Sequence, residues 1–85
     1  MRGKKMNTRE AVADRIRKLC KEQGITPNAL SYLAGVPQST IKSILNNETQ
    51  NPGIVTIKKL CDGFDISLYD FFNAEIFRTL EQEIK

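Results

Sequence analysis

Thr26-Pro27-Asn28-Ala29-Leu30-Ser31-Tyr32-Leu33-Ala34-Gly35-Val36-Pro37-Gln38-Ser39-Thr40-Ile41-Lys42-Ser43-Ile44-Leu45-Asn46 is the stretch on which the fold turns. Thr26 before Pro27 is a helix start. The Thr side chain caps the first turn, and Pro suits the first helical position, where a missing N–H costs nothing. Ala29, Leu30, Leu33 and Ala34 are spaced to form one buried stripe. Gly35 then ends the helix, since glycine adopts a left-handed C-cap without a Cβ clash. Pro37 fixes its own φ and disfavours helix at Val36. A new helix therefore opens at Gln38 and runs to about Asn46, with Ile41, Ile44 and Leu45 inward. Two short helices joined by a Gly-containing turn make a helix-turn-helix unit.

The flanks are helical as well. Upstream, Asn7 and Glu10 have the spacing of a capping box. Val12, Ile16, Leu19 and Cys20 then recur on one helix face, and Gly24 stops the helix, so it spans about Thr8–Gln23. Downstream, 46–53 is a polar loop rich in Asn, Pro and Gly. Ile57, Leu60, Cys61 and Phe64 mark a helix over about Ile54–Phe64. Gly63 inside it costs ~1 kcal/mol against Ala, which a close helix contact would explain. Ser67 with Asp70 opens a short helix through Leu68, Phe71 and Phe72. No alternating β-type run occurs. The reading is an all-α domain of five short helices over residues 1–72, with 1–6 flexible, followed by an amphipathic C-terminal helix over 73–85. That last helix carries the stripe Ile76, Phe77, Leu80 and Ile84. Three fates suit the stripe: packing back on the domain, a homodimer contact, or fraying.

Composition bounds the function. The chain has 85 residues, 40% apolar and 27% charged, which suits one small folded domain and argues against wholesale disorder. No apolar run approaches the ~18–20 residues of a membrane span, and no signal core follows the basic start. The cytoplasm is the expected compartment. His is absent, which removes the commonest general base. Two Cys, 41 positions apart, make neither a Cys-only zinc site nor a disulfide framework. Cys20 and Cys61 lie on apolar stripes and read as buried, inert thiols, with a redox switch as the alternative. Asp62, Asp65 and Asp70 are too evenly spread for a calcium loop. Tyr32 and Tyr69 read as partly exposed packing residues. No nucleophile–base pair or phosphate-cradling Gly loop is present. No enzyme, metal, cofactor or small-molecule effector is expected.

The net charge of +3 is unevenly spread. Residues 1–25 carry +5, through Arg2, Lys4, Lys5, Arg9, Arg15, Arg17, Lys18 and Lys21 against three acids, while residues 51–85 carry −2. The basic end favours a polyanion, or is a solvated helix face.

Residues 27–46 resemble the helix-turn-helix of the Cro/lambda-repressor type, also called the XRE family. Ser31, Gly35, Ile41 and Ile44 fall at the family's spacing, Thr40 and Asn46 also match, and the likeness extends over about residues 8–72. The resemblance implies a sequence-specific, double-stranded-DNA-binding transcriptional regulator, read as a repressor, with activation by contact with polymerase equally compatible with the sequence. Its second motif helix would enter the major groove while the first crosses the backbone. Two departures stand out: Pro27 where the family often has a phosphate-contacting Gln, and Ser31 where it usually has Ala.

The residues support this reading independently. Ser31 is small where the two motif helices cross. With Ile41 and Ile44 turned inward, Gln38, Ser39, Lys42 and Ser43 face out as candidate base contacts. Gln can bind adenine, Lys guanine, and Ser several base edges. Thr26, Asn28, Thr40, Asn46 and Asn47 are candidate backbone contacts, with the N–H groups of Asn28 and Ala29 offered at a helix start. Lys4, Lys5, Arg9 and Arg15 are further candidates for salt-dependent attraction. No ligand domain follows, so control is expected from protein level, a partner or oligomerisation. The rival reading is a protein-interaction module, such as an antitoxin or a regulator subunit, that binds its partner through the tail.

Overall fold

The computed structural model describes residues 5–48 and 51–84. The expected flexible start thus lies largely outside the described residues, as do Arg2, Lys4, and Thr49 and Gln50 of the polar loop. Five α-helices follow in order: α1 (Thr8–Gln23), α2 (Pro27–Ala34), α3 (Gln38–Leu45), α4 (Ile54–Phe64) and α5 (Leu68–Phe72). A single 3-10 turn, Glu75–Arg78, comes last, and there is no strand among the described residues.

Local chemistry sets the helix ends. Asn7 Oδ1 accepts from the Glu10 N–H (2.8 Å) and Glu10 Oε1 from the Asn7 N–H (3.1 Å), a closed capping box. Thr26 Oγ1 accepts from Ala29 N–H and Ser67 Oγ from Asp70 N–H, capping α2 and α5. Gly24 and Gly35 end α1 and α2 at φ 67° and 66°. Asp65 ends α4 at φ 61° without being glycine.

The core joins Val12, Ile16 and Leu19 of α1, Leu30 of α2, Ile41 and Ile44 of α3, Ile57, Leu60 and Phe64 of α4, and Phe71 of α5. Cys20 and Cys61 are buried within it as free thiols. Burial pushes both thiols above the ordinary value; at Cys61, burial outweighs a smaller lowering by Lys58 and Arg15.

Three expectations are corrected. Leu33 is 59% exposed and stands outside the buried stripe of α2. Leu30, Ser31 and Ala34 turn inward instead, because α2 packs closely on α4 at Ala34. An added Cβ at Gly63 would lie 3.0 Å from the Ala34 Cβ. Tyr32 and Tyr69 are more solvent-facing than packing residues would be, at 82% and 76% exposed.

The third correction is the tail. Among the described residues no amphipathic α-helix spans 73–84. The chain makes one 3-10 turn and then runs on irregularly. Phe77 inserts beside Phe72 and Phe71, with ring centroids 5.0 and 6.1 Å away. Beyond it the Glu81 N–H donates to the Met6 carbonyl (2.9 Å) and Thr8 Oγ1 to Glu83 Oε2 (2.9 Å). An isolated helix of this length is marginal in water, and the aromatic cluster with these long-range bonds outweighs it. The expected homodimer stripe is thereby broken up. Phe77 packs on the core, Ile76 and Leu80 are half-buried, and Ile84 is 87% exposed.

Candidate nucleic-acid interface

α2, the Gly35–Pro37 turn and α3 form the helix-turn-helix. Its turn is locked by backbone bonds: the Val36 N–H donates to the Ser31 carbonyl (3.2 Å), and Thr40 and Ile41 N–H groups to the Pro37 carbonyl (3.0 and 3.2 Å). Ser31 is buried and its hydroxyl donates to the Asn28 carbonyl (3.0 Å), so the small polar side chain is satisfied within its own helix. Val36, Ile41 and Ile44 are buried and fix the rotation of α3.

That rotation leaves Gln38, Ser39 and Lys42 exposed and Ser43 and Thr40 half-buried on the outward side. Pro27, Asn28, Gln38, Ser39, Lys42 and Asn46 line one shallow groove between the start of α2 and α3. The structure therefore brings two of the expected backbone contacts, Asn28 and Asn46, beside three of the expected base contacts. Thr26 is exposed too. Its hydroxyl oxygen accepts from Ala29 N–H, so that N–H is no longer open, while the hydroxyl hydrogen remains able to donate. Pro27 has no N–H. Asn28 N–H, with no partner among the described residues, is the open donor at this helix start. Asn47 is placed differently from its neighbour. It is half-buried at φ 58°, its Oδ1 is buried without a partner, and its carbonyl is used internally. Its clearest role is to turn the chain after α3, a conformation Asn tolerates.

The arginines of α1 carry the largest departure from expectation. Arg15 donates from Nε to the Phe71 carbonyl (2.7 Å) and from Nη2 to the Asp70 carbonyl (2.8 Å), at the end of α5. Arg9 Nη1 donates to the Asn47 carbonyl (2.9 Å) and Arg17 Nη2 to the Leu45 carbonyl. Gln23 Nε2 donates to the Phe64 carbonyl (2.9 Å), at the end of α4. The polar face of α1 thus supplies donors to the C-terminal ends of three other helices, where carbonyls lack helical partners and cations are favoured. Arg9 and Arg15, expected to attract a polyanion, are engaged in this way. Sequence signals miss these roles because each partner lies 28 to 56 positions away. Lys18 pairs with Asp14 (3.5 Å) on the α1 surface. Lys21, Lys42 and Lys59 have no acidic partner among the described residues, and Lys42 stands in the groove.

Among the described residues no helix is long and apolar enough to cross a membrane, and no cluster of three or more His, Cys, Asp or Glu side chains is placed to hold a metal.

Two short helices about a glycine turn, the second presenting polar side chains outward from an all-α core, define a helix-turn-helix domain. The profile of the Cro/C1-type HTH DNA-binding domain matches residues 15–75. The chain belongs to that family, which is one of DNA-binding transcriptional regulators and implies binding to double-stranded DNA. Solved structures agree. The prophage Lp1 protein 11 is 31% identical, with a TM-score of 0.77 over 88% of this chain and 99% of that one. The wild-type restriction-modification controller protein C.Esp1396I is 26% identical, with a TM-score of 0.72 over 81% of this chain and 85% of its own. An HTH_3 family transcriptional regulator from Vibrio cholerae is 26% identical, with a TM-score of 0.73 over 80% of this chain but 38% of that protein. No curated protein compared is similar enough to match.

Proposed function

We propose that the protein is a sequence-specific transcriptional repressor, a binding protein rather than an enzyme, that reads the major groove with α3. Gln38, Ser39, Lys42 and Ser43 contact base edges. Thr26, Asn28, Thr40 and Asn46 position the domain on the sugar–phosphate backbone, with Asn47 a weaker candidate beside them. The observation that carries this reading is the shared groove. An exposed α3 face of three hydrogen-bonding side chains adjoins the open N-terminus of α2, as docking across a backbone and into a groove requires. Gln and Lys bond adenine and guanine edges respectively, and serine is adaptable. Two copies on a two-fold axis would read half-sites one helical turn apart, ~34–36 Å. Repression follows from occupying an operator that overlaps a promoter.

The test is selection from random DNA duplexes at near-physiological salt with the full chain. Enrichment of a palindrome supports specific reading by a two-fold dimer. A single enriched half-site supports specific reading by a monomer. Failure of a folded sample to enrich any sequence refutes the proposal and favours the interaction-module reading.

A further inference from the structure

We propose that Arg9 and Arg17 of α1 are positioning residues for α3, gripping the C-terminal end of the reading helix rather than touching DNA. This rests on α3 being the reading helix. At eight residues α3 is too short to be stable alone. Its N-cap is Pro37, which offers no side-chain hydrogen bond. Ile41 and Ile44 pack its inner face, and its far end is held by hydrogen bonds. The Lys42 carbonyl accepts from the Asn46 N–H (2.9 Å), Ser43 from Glu48 (2.8 Å) and Ile44 from Asn47 (3.2 Å). The Leu45 carbonyl, last in the helix, is filled by Arg17 Nη2. The Asn47 carbonyl just beyond is filled by Arg9 Nη1 at 2.9 Å. Every terminal carbonyl of α3 is thus accounted for, the last by a guanidinium from another helix.

The arrangement acts on reading through geometry. Arg9 and Arg17 are two turns apart on α1, ~12 Å along its axis, and they grip carbonyls two residues apart on the other chain segment. Two donors from α1 on carbonyls two residues apart restrain the direction in which α3 leaves its C-terminal end. The exposed Gln38 and Ser39 lie at the opposite end, ~10 Å away. A tilt of ~10° at the grip displaces them by ~2 Å, against a tolerance of ~0.5 Å for a functional contact. The charges also suit the site, since a cation at a helix C-terminus meets the negative end of its dipole and charge-assisted bonds are the stronger kind.

The test uses the full chain and the variants Arg9→Gln, Arg17→Gln and Arg17→Lys. In the free protein, amide hydrogen exchange at Asn46, Asn47 and Glu48 should quicken about tenfold in each Gln variant, a factor equivalent to ~1.4 kcal/mol. Leu60 and Cys61 should keep their protection. Arg17→Lys, with the charge but not the fork, should restore part of it; it also serves if Arg17→Gln fails to fold. Unchanged exchange at the end of α3 overturns the proposal. On a selected duplex, affinity should fall about tenfold at every salt concentration, the slope of log K against log salt should stay unchanged, and binding to unrelated DNA should be unaffected. A slope reduced by ~0.9 per variant, with both kinds of binding weakened alike, identifies phosphate ligands and overturns it equally. If the native chain selects no DNA, major-groove reading has failed, and the exchange measurement alone decides whether the arginines hold α3.

Discussion

Gln38 and Lys42 stand one turn apart on the exposed side of α3, and both line the groove shared with α2. If each makes a bidentate or charged base contact, Gln38→Ala and Lys42→Ala should each weaken binding to a cognate duplex by ~1–3 kcal/mol. Fluorescence anisotropy on the selected site measures this, and unchanged binding in both variants would put the reading face elsewhere. Folding depends on a residue of the opposite kind. At Gly63 an added Cβ would meet Ala34 Cβ at 3.0 Å, its N at 3.1 Å and its Cα at 3.2 Å. Two of those three atoms are helix backbone and cannot swing away. Gly63→Ala gains ~1 kcal/mol of helix propensity but overpacks a tight crossing, which typically costs ~1–3 kcal/mol. A net loss of stability in urea denaturation is expected, with partial rescue by Ala34→Gly. A variant as stable as the parent would mean that α2 and α4 separate without cost.

At the scale of elements, what was legible in the sequence and what was not divides by distance along the chain. α1 and α4 occupy the expected spans, and α2, α3 and α5 lie within a residue of theirs, because Asn7, Thr26, Ser67, Gly24 and Gly35 act within a few positions of themselves. The tail has an equally regular apolar pattern, yet its conformation is decided by partners far off: the Phe71–Phe72 pair and the start of α1. Phe77 is the anchor of that arrangement. Because it is half-buried, Phe77→Ala should cost about half the usual loss for a core phenylalanine, ~1–3 kcal/mol. Ile84→Ala, at an 87% exposed position, should leave stability unchanged. Denaturant midpoints for the two variants check the contrast, and equal effects would count against the observed docking of the tail. The outward side chains of α3 were legible for the same local reason as its inward ones, since Ile41 and Ile44 fix both faces. The capping roles of Arg9, Arg15, Arg17 and Gln23 were not, since no local spacing marks a donor for a distant carbonyl.

At the scale of the whole molecule, two buried thiols tie stability to alkaline pH. Cys61 is fully buried and Cys20 is 7% exposed, on α4 and α1 respectively, and no histidine is present to titrate near neutrality. Burial disfavours the thiolate, so the folded-state pKa of each is raised. In the unfolded chain a cysteine ionises near ~8.5. Below that value both states hold the proton, and the contribution of the thiols to stability is fully present. Above it the unfolded chain binds fewer protons than the folded one, so stability falls as pH rises towards the folded-state pKa. The slope is at most ~1.4 kcal/mol per pH unit for each thiol. The contribution of one thiol is isolated by comparing two proteins that differ only there. Cys61→Ala should lower stability somewhat at pH 7, where a smaller side chain leaves a void, yet lose less than the parent between pH 8 and 10. Urea midpoints for the two proteins across that range should therefore converge as pH rises, and parallel curves would show that the buried thiol of α4 contributes nothing to the alkaline limit.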